Sequence, residues 1–130
     1  MRPLPTPSEL TRPFWDAARE HRLVRQVCRD CRTSFFSPQI ACPACLSEAY
    51  DWVPSSGRGE IYSCTVVHRA PSPGFDVPYV FAIVDLEDGW SMLANVVGCE
   101  VAEATIGLPV RVTFLDFDEI TLPAFEPAGR

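Results

Sequence analysis

Four cysteines stand in two Cys-x-x-Cys pairs, Cys28-Arg-Asp-Cys31 and Cys42-Pro-Ala-Cys45, with ten residues between the pairs. Each pair forms a short knuckle whose thiolates can point at one ion. Two knuckles together supply four sulfurs at about 2.3 Å, the usual arrangement of a structural zinc ion. Such a set leaves no open coordination position, so it predicts one zinc ion that holds structure and performs no reaction. Two disulfides are the main competing reading. A thioredoxin-like redox pair is weaker, because no strand-to-helix pattern follows either Cys-x-x-Cys. Cys64 and Cys99 fall in apolar, strand-like segments, where a free cysteine behaves as a small buried hydrophobe.

Little else in the chain has the look of catalysis, which needs an acid, base or nucleophile with a partner. His68 alternates onto the same predicted strand face as Tyr62 and Cys64, yet residues i and i+4 on a strand stand about 13 Å apart, too far for proton transfer. His21 falls near the end of a predicted helix, where a cation suits the dipole. Asp85, Glu87 and Asp88 cluster at a predicted hairpin and read as residues that keep a turn soluble. Arginine is a different matter, since guanidinium groups bind phosphates and nearby aromatics can face an adenine or an acyl chain. All 11 basic residues are arginine, and residues 12–32 hold six of them against three acids. Arg29 and Arg32 flank the first knuckle, and Arg58 lies within Gly57-Arg58-Gly59.

The elements that must position these groups follow from patterning. Residues 1–22 read as an extended segment and then a helix over 12–21, capped by Thr11, with Pro13 in its first turn. Phe14, Ala17, Ala18 and His21 share one face of that helix and Trp15 lies beside it. Residues 23–57 read as a ribbon of short strands at 23–27, 34–36 and 50–53 around the knuckles, too small to stand without its metal. Pro54-Ser55-Ser56-Gly57-Arg58-Gly59 marks a boundary. Beyond it, residues 58–130 offer strands at 60–68, 79–86, 90–97, 110–115 and 120–122, with a helical turn at 102–106. In the first of these, Tyr62, Cys64, Val66 and His68 alternate with Ile61, Ser63, Thr65 and Val67. Five strands with a helical link between the third and fourth predict a mainly β protein ending in a Greek-key barrel of the OB type.

A chain of 130 residues buries on the order of two-thirds of its unfolded surface, enough for one domain or two very small ones. Charge is uneven: residues 1–57 carry seven arginines and six acids, whereas residues 58–130 carry four and eleven. The resulting −7 on the second part argues against a nucleic-acid backbone there. A single-stranded nucleic acid is still the alternative partner, with Tyr62, Tyr79, Phe81 and Trp90 as stacking rings. Residues 1–8 show no apolar run of signal-peptide length, and no stretch approaches the roughly 20 apolar residues that span a bilayer. A cytoplasmic protein is expected, and in that reducing compartment paired cysteines favour metal over disulfides.

Taken in order, Pro13-Phe14-Trp15, the two knuckles with Phe36-Ser37-Pro38 between them, Trp52 and Ser56-Gly57-Arg58-Gly59 are joined by Tyr62-Ser63, Thr65-Val66-Val67-His68, Pro78-Tyr79 and Gly107-Leu108-Pro109-Val110. Across nearly its whole length the chain resembles the acyl-CoA-associated proteins in which an N-terminal helix and a rubredoxin-like zinc ribbon precede an OB-fold. It departs from zinc ribbons at large in carrying Arg32 and Leu46 after the knuckles, where glycine is common. The resemblance implies a non-catalytic accessory subunit of a thiolase-like partner, with some relatives paired instead to hydratase-like proteins. It places the barrel near the entry to the partner's active site, helping to form the channel for coenzyme A or the acyl chain. One branch of the family, with a thiolase-like partner, cleaves a steroid side chain by a retro-aldol reaction. On this reading Cys28, Cys31, Cys42 and Cys45 hold zinc, Arg29, Arg32 and Arg58 are the candidate contacts to CoA, and catalytic residues belong to the partner. The surface for that partner is expected around Phe14, Trp15, Phe35, Phe36 and the loop from Pro71 to Pro78.

Overall fold

The computed structural model describes residues 4–128. Helix α1 spans Arg12–Arg19, with Pro13 in the first turn, where a missing N–H costs nothing, and buries Phe14, Ala17 and Ala18. It ends two residues before the predicted stop. The Arg22 N–H donates to the Ala17 carbonyl (2.9 Å) and the His21 N–H to that of Ala18 (2.8 Å), a Schellman closure with His21 left-handed at φ 59°. Thr11 holds the N-cap position, but its hydroxyl makes no bond to the helix and instead accepts the Ser8 N–H at 2.8 Å.

Three antiparallel strands follow, β1 (Val24–Cys28), β2 (Ser34–Phe35) and β3 (Tyr50–Pro54), in the spatial order β2-β1-β3. The remaining five, β4 (Arg58–Val67), β5 (Tyr79–Leu86), β6 (Trp90–Val96), β7 (Pro109–Asp116) and β8 (Thr121–Pro127), close a barrel in the order β4-β5-β6-β8-β7. That is the OB-fold. A 3-10 turn at Val101–Glu103 links β6 to β7, a shorter piece than the expected helical turn. Gly57, at φ 75°, turns the chain from ribbon to barrel. Gly59 brings β4 so near β5 that a Cβ on it would stand 2.1 Å from the Asp85 carbonyl oxygen.

Two strands differ from their sequence pattern. A bulge between Ile61 and Ser63 shifts the β4–β5 register. The strict alternation expected for β4 therefore breaks at Tyr62, and Ile61 points into the core together with Cys64 and Val66 while Tyr62 is exposed. β8 continues through Pro123 to Pro127, although a proline predicted its end. Its contact with β6 is a single parallel bridge, Val96 against Phe125, so the barrel has little ladder on that side for a proline to interrupt.

One hydrophobic core fills the barrel and reaches outward. Ile61, Val84, Val110 and Phe125 are its most enclosed members, and Phe14, Ala17, Leu23 and Val24 extend it from the helix and the start of the ribbon. The ribbon's own core is only Cys28, Phe35 and Cys42, with Tyr50 packed against them.

Candidate metal centre and the groove beside it

The two knuckles are built alike. The Cys28 N–H donates to the Thr33 carbonyl (2.9 Å) and the Arg32 N–H to the Cys28 carbonyl (3.0 Å); in the second knuckle, Cys42 N–H meets Ser47 (2.8 Å) and Leu46 N–H meets Cys42 (2.8 Å). Arg32 and Leu46 occupy equivalent places and share a left-handed backbone, at φ 66° and 65°. These are the positions where glycine is common in such ribbons, and the turn forms without it. Backbone N–H groups also face the sulfurs, from Cys31 to Cys28 Sγ at 3.5 Å and from Ala44 to Cys42 Sγ at 3.4 Å.

The knuckles bring all four Sγ atoms within 4.8 Å of one another, with Cys28 to Cys45 at 3.5 Å and Cys31 to Cys42 at 3.6 Å. A tetrahedron of sulfurs about 2.3 Å from a central ion has edges near 3.8 Å, so the set is positioned to bind a metal ion. Its electrostatics agree. Thr33 lowers the Cys31 thiol to about 6, first through its hydroxyl and then through its backbone N–H. At Cys45 the Ser47 N–H pulls down, but the sulfurs of Cys28 and Cys31 overcome it and push the thiol up to about 12. Four adjacent thiols cannot all ionise without a cation among them. A divalent ion removes that conflict.

Around the sulfurs run two polar clasps. The Ser47 hydroxyl donates to Asp30 Oδ2 at 2.5 Å, tying the knuckles together, and the Arg29 guanidinium donates to Asp51 Oδ1 at 3.0 and 2.8 Å. This last pair holds the Asp51 carboxyl below its ordinary range. Arg29 and Arg32 line the same small depression with Val27 and Val53, whereas Arg58 lies elsewhere, in a cavity shared with Glu60, Asp85 and Glu87. The three arginines form no single patch. Arg32 is exposed and has no ion-pair partner among the described residues.

The joint between ribbon and barrel was hidden in the sequence. Asp88 accepts hydrogen bonds from the Ser55 hydroxyl (3.0 Å), the Ser56 N–H (2.9 Å) and the Trp90 indole (2.9 Å), and faces Arg25 of β1 at 3.7 Å. Burial opposes its ionisation, but the Ser56 N–H, the Ser55 hydroxyl, its own backbone N–H and the charge of Arg25 together keep its pKa below the ordinary value. It is a fastener and no mere solubilising turn residue. Gln26, also unnoticed in the sequence, is fully buried and binds the backbone of Gln39 twice, its Nε2 donating at 2.6 Å and its Oε1 accepting at 2.9 Å.

Rings continue the joint. Trp15, Phe14, Phe36 and Trp90 follow one another with centroids 5.0, 5.1 and 5.4 Å apart, from helix through ribbon loop to barrel. Beside them lies a groove of about 230 Å³ walled by Trp15, Phe36, Pro38, Phe81, Leu93 and Leu122. The exposed surface expected at four aromatics is narrower than that expectation: Phe14 and Phe35 are covered by their own chain at 3 % and 5 % exposure, while Trp15 and Phe36 are half-buried. Phe81 and Leu93, on the outer barrel face, extend the apolar surface. The loop from Pro71 to Pro78 adjoins it; Phe75 and Pro78 line a cavity that shares Asn95 and Leu115 with the groove.

The remaining candidates are placed simply. His68 is exposed just past β4, and Cys64 Sγ donates to the Ala104 carbonyl at 3.5 Å. His21 Nε2 meets both Asp116 oxygens at 2.9 Å and its ring stacks on Phe114. Of the four rings considered for stacking on bases, Trp90 is buried and Tyr79 stacks on Phe75. No described helix is long and apolar enough to cross a membrane.

Comparison with known proteins agrees with this architecture. The family model described as ChsH2, rubredoxin-like zinc ribbon domain, matches residues 15–51, and that described as ChsH2, C-terminal OB-fold domain, matches residues 52–115. A solved structure named Ltp2-ChsH2(DUF35) aldolase superposes with a TM-score of 0.87 at 38% identity, covering 96% of this chain and 99% of that one. The 3-oxo-4,17-pregnadiene-20-carboxyl-CoA hydratase alpha subunit of Mycobacterium tuberculosis is 39% identical over 95% of this chain. The chain spans 39% of that protein's length, and 37% of a probable enoyl-CoA hydratase alpha subunit from Thermomonospora curvata. A DUF35 domain-containing scaffold protein of Pyrococcus furiosus is 33% identical, with 87% of this chain and 85% of that protein covered. The benzoylsuccinyl-CoA thiolase subunit BbsA of Geobacter metallireducens is 34% identical over 65% of this chain and 61% of its own.

Proposed function

The chain belongs to the ChsH2 family, a rubredoxin-like zinc ribbon followed by an OB-fold, and from that premise we propose that it is a non-catalytic accessory subunit of a thiolase-like acyl-CoA complex. One zinc ion on Cys28, Cys31, Cys42 and Cys45 holds the ribbon, and the reacting groups belong to the partner. Support for a thiolase-like partner comes from the relative named as a thiolase subunit, and support for CoA chemistry from that name and the hydratase subunits. Retro-aldol cleavage of a steroid side-chain acyl-CoA is the reaction favoured by the similarity to the aldolase structure and the pregnadiene-carboxyl-CoA hydratase subunit.

The observation that carries this reading is the apolar surface of Trp15, Phe36, Phe81 and Leu93, to which helix, ribbon and barrel all contribute. A partner covering it would rest on the barrel and the ribbon together. Among the arginines, Arg32 is best suited to meet a CoA phosphate, being exposed and without an ion-pair partner among the described residues. Arg29 is engaged by Asp51, and the carboxylates around Arg58 oppose an anion. Nucleic acid is disfavoured by the −7 charge of residues 58–130 and by the burial of Trp90.

A tagged pull-down from the source cell at moderate salt, with proteins identified by mass spectrometry and metal counted in the same eluate, tests the reading. A thiolase-like protein in near-stoichiometric amount with one zinc per chain is expected. Recovery of nucleic acid, or acyl-CoA turnover by the chain alone, overturns it.

A further inference from the structure

We infer that metal occupancy in the ribbon governs the apolar groove, so that losing the ion dismantles one wall of the groove while the barrel persists. The groove's walls have different owners. Phe81, Met92, Leu93 and Leu122 belong to the barrel, whose strands supply most of the main core. Phe36 and Pro38 belong to the short segment between β2 and the second knuckle; the Phe36 ring packs toward helix and barrel, while the residues on either side of it, Phe35 and Gln39, are held from the metal's side.

Three ties are visible. Phe35, the residue before Phe36, is buried with Cys28 and Cys42 in the ribbon's small core. Adjacent side chains thus serve two sites: one ring lies against the metal-binding cysteines, and the next reaches across to Phe14 and Trp90 at 5.1 and 5.4 Å. Gln26 grips Gln39 by both backbone groups, and Gln26 sits on β1 two positions before Cys28. Beyond Gln39 the segment enters Cys42 itself. A core of two cysteines and one phenylalanine is too small to keep this arrangement without a cross-link, whereas the barrel core is not. Withdrawal of Phe36 then uncovers Trp90 and leaves Phe14 and Trp15 without their neighbour on the ribbon side. The device does not depend on what covers the groove.

Fluorine NMR of the full chain labelled with 5-fluorotryptophan reads this directly, with Trp15, Trp52 and Trp90 assigned by Trp→Phe variants. In the zinc-loaded protein the Trp90 signal is expected to show little solvent isotope shift between H2O and D2O. On chelation the shifts of Trp90 and Trp15 should rise several-fold while the barrel's amide dispersion persists. Changes confined to Trp52 of β3 would overturn the inference. So would collapse of the barrel's amide dispersion at the same moment, because the ion would then stabilise the whole chain without selecting the groove. Phe36→Ala supplies a second arm with all four cysteines intact. It should retain one zinc per chain and reproduce the Trp90 and Trp15 changes, and unchanged signals in that variant would also overturn the inference. No partner is needed in either arm, so a failed pull-down and a failed NMR result are separate outcomes.

Discussion

Arg25 on ribbon strand β1 lies 3.7 Å from Asp88 in the β5–β6 turn, and their side chains are only 12% and 21% exposed. Asp88 also receives the Ser55, Ser56 and Trp90 donors, so its carboxylate carries the join between ribbon and barrel. Asp88→Ala should lower stability by about 2 kcal/mol, the scale of hydrogen bonds to a charged group left without their acceptor. Because the carboxyl is held below its ordinary value, its stabilisation is complete above the unfolded value of about 3.9 and is lost as pH falls toward the lowered one. Denaturation of wild type and Asp88→Asn from pH 7 to 2.5 checks this: the wild type should lose its advantage below about pH 4. A constant difference across that range would remove Asp88 ionisation from the account.

His21 closes the helix in a left-handed conformation and reaches Asp116. Glycine suits that backbone and alanine does not, at a cost of about 1 kcal/mol. His21→Ala is therefore expected to melt below His21→Gly, although both lose the bond to Asp116. Equal melting temperatures would show that the backbone at this position relaxes freely.

The same logic applies at the knuckles. Arg32→Gly and Leu46→Gly each remove a left-handed non-glycine residue, and each should tighten metal retention against a chelator by roughly 1 kcal/mol. Arg32→Gly separates two roles, since it should retain metal better and yet weaken CoA affinity or partner assembly. Assembly and CoA affinity both equal to wild type would leave Arg32 with no part in ligand contact.

Cys→Ser at any of the four positions should abolish stoichiometric metal and loosen the ribbon. The thiolates must release their protons to bind, so metal content should fall as pH is lowered. Metal analysis of desalted protein between pH 8 and 4.5 measures it. Full zinc in a serine variant would disprove the four-sulfur set.

Leu93 is 57% exposed on the barrel's outer face, so Leu93→Glu should change stability by less than about 0.5 kcal/mol. It should nonetheless weaken capture of the thiolase-like partner strongly. Undiminished capture would move the interface away from the groove.

What the residues revealed in advance depended on whether the signal was local. Cysteine spacing announced the four sulfurs that the fold gathers in position for a metal ion, and alternation announced most strands, because both are read over short stretches of chain. Tyr62 was misplaced because a bulge carries no mark in a run of β-forming residues. Pro123 suggested an end to β8, since the sparse pairing beside it exists only once the barrel has closed. Asp88 and Gln26 lay beyond sequence reading for the same reason: their partners, Ser55 and Arg25 for one and Gln39 for the other, come from separate stretches. The arginines were legible as charges, but not that Asp51 already claims Arg29.

Closure of the barrel through β4 and β7 has a further consequence for assembly. β4 meets β7 only at Arg58, Gly59 and Glu60, and β6 meets β8 at a single bridge, so the ring closes on short ladders at two seams and leaves strand margins beside them where a partner's strand can pair. The ribbon adds open margins of its own, at the two-residue β2 and at β3, which runs into Pro54. Recognition on the barrel therefore has backbone groups at those two seams to draw on as well as side chains.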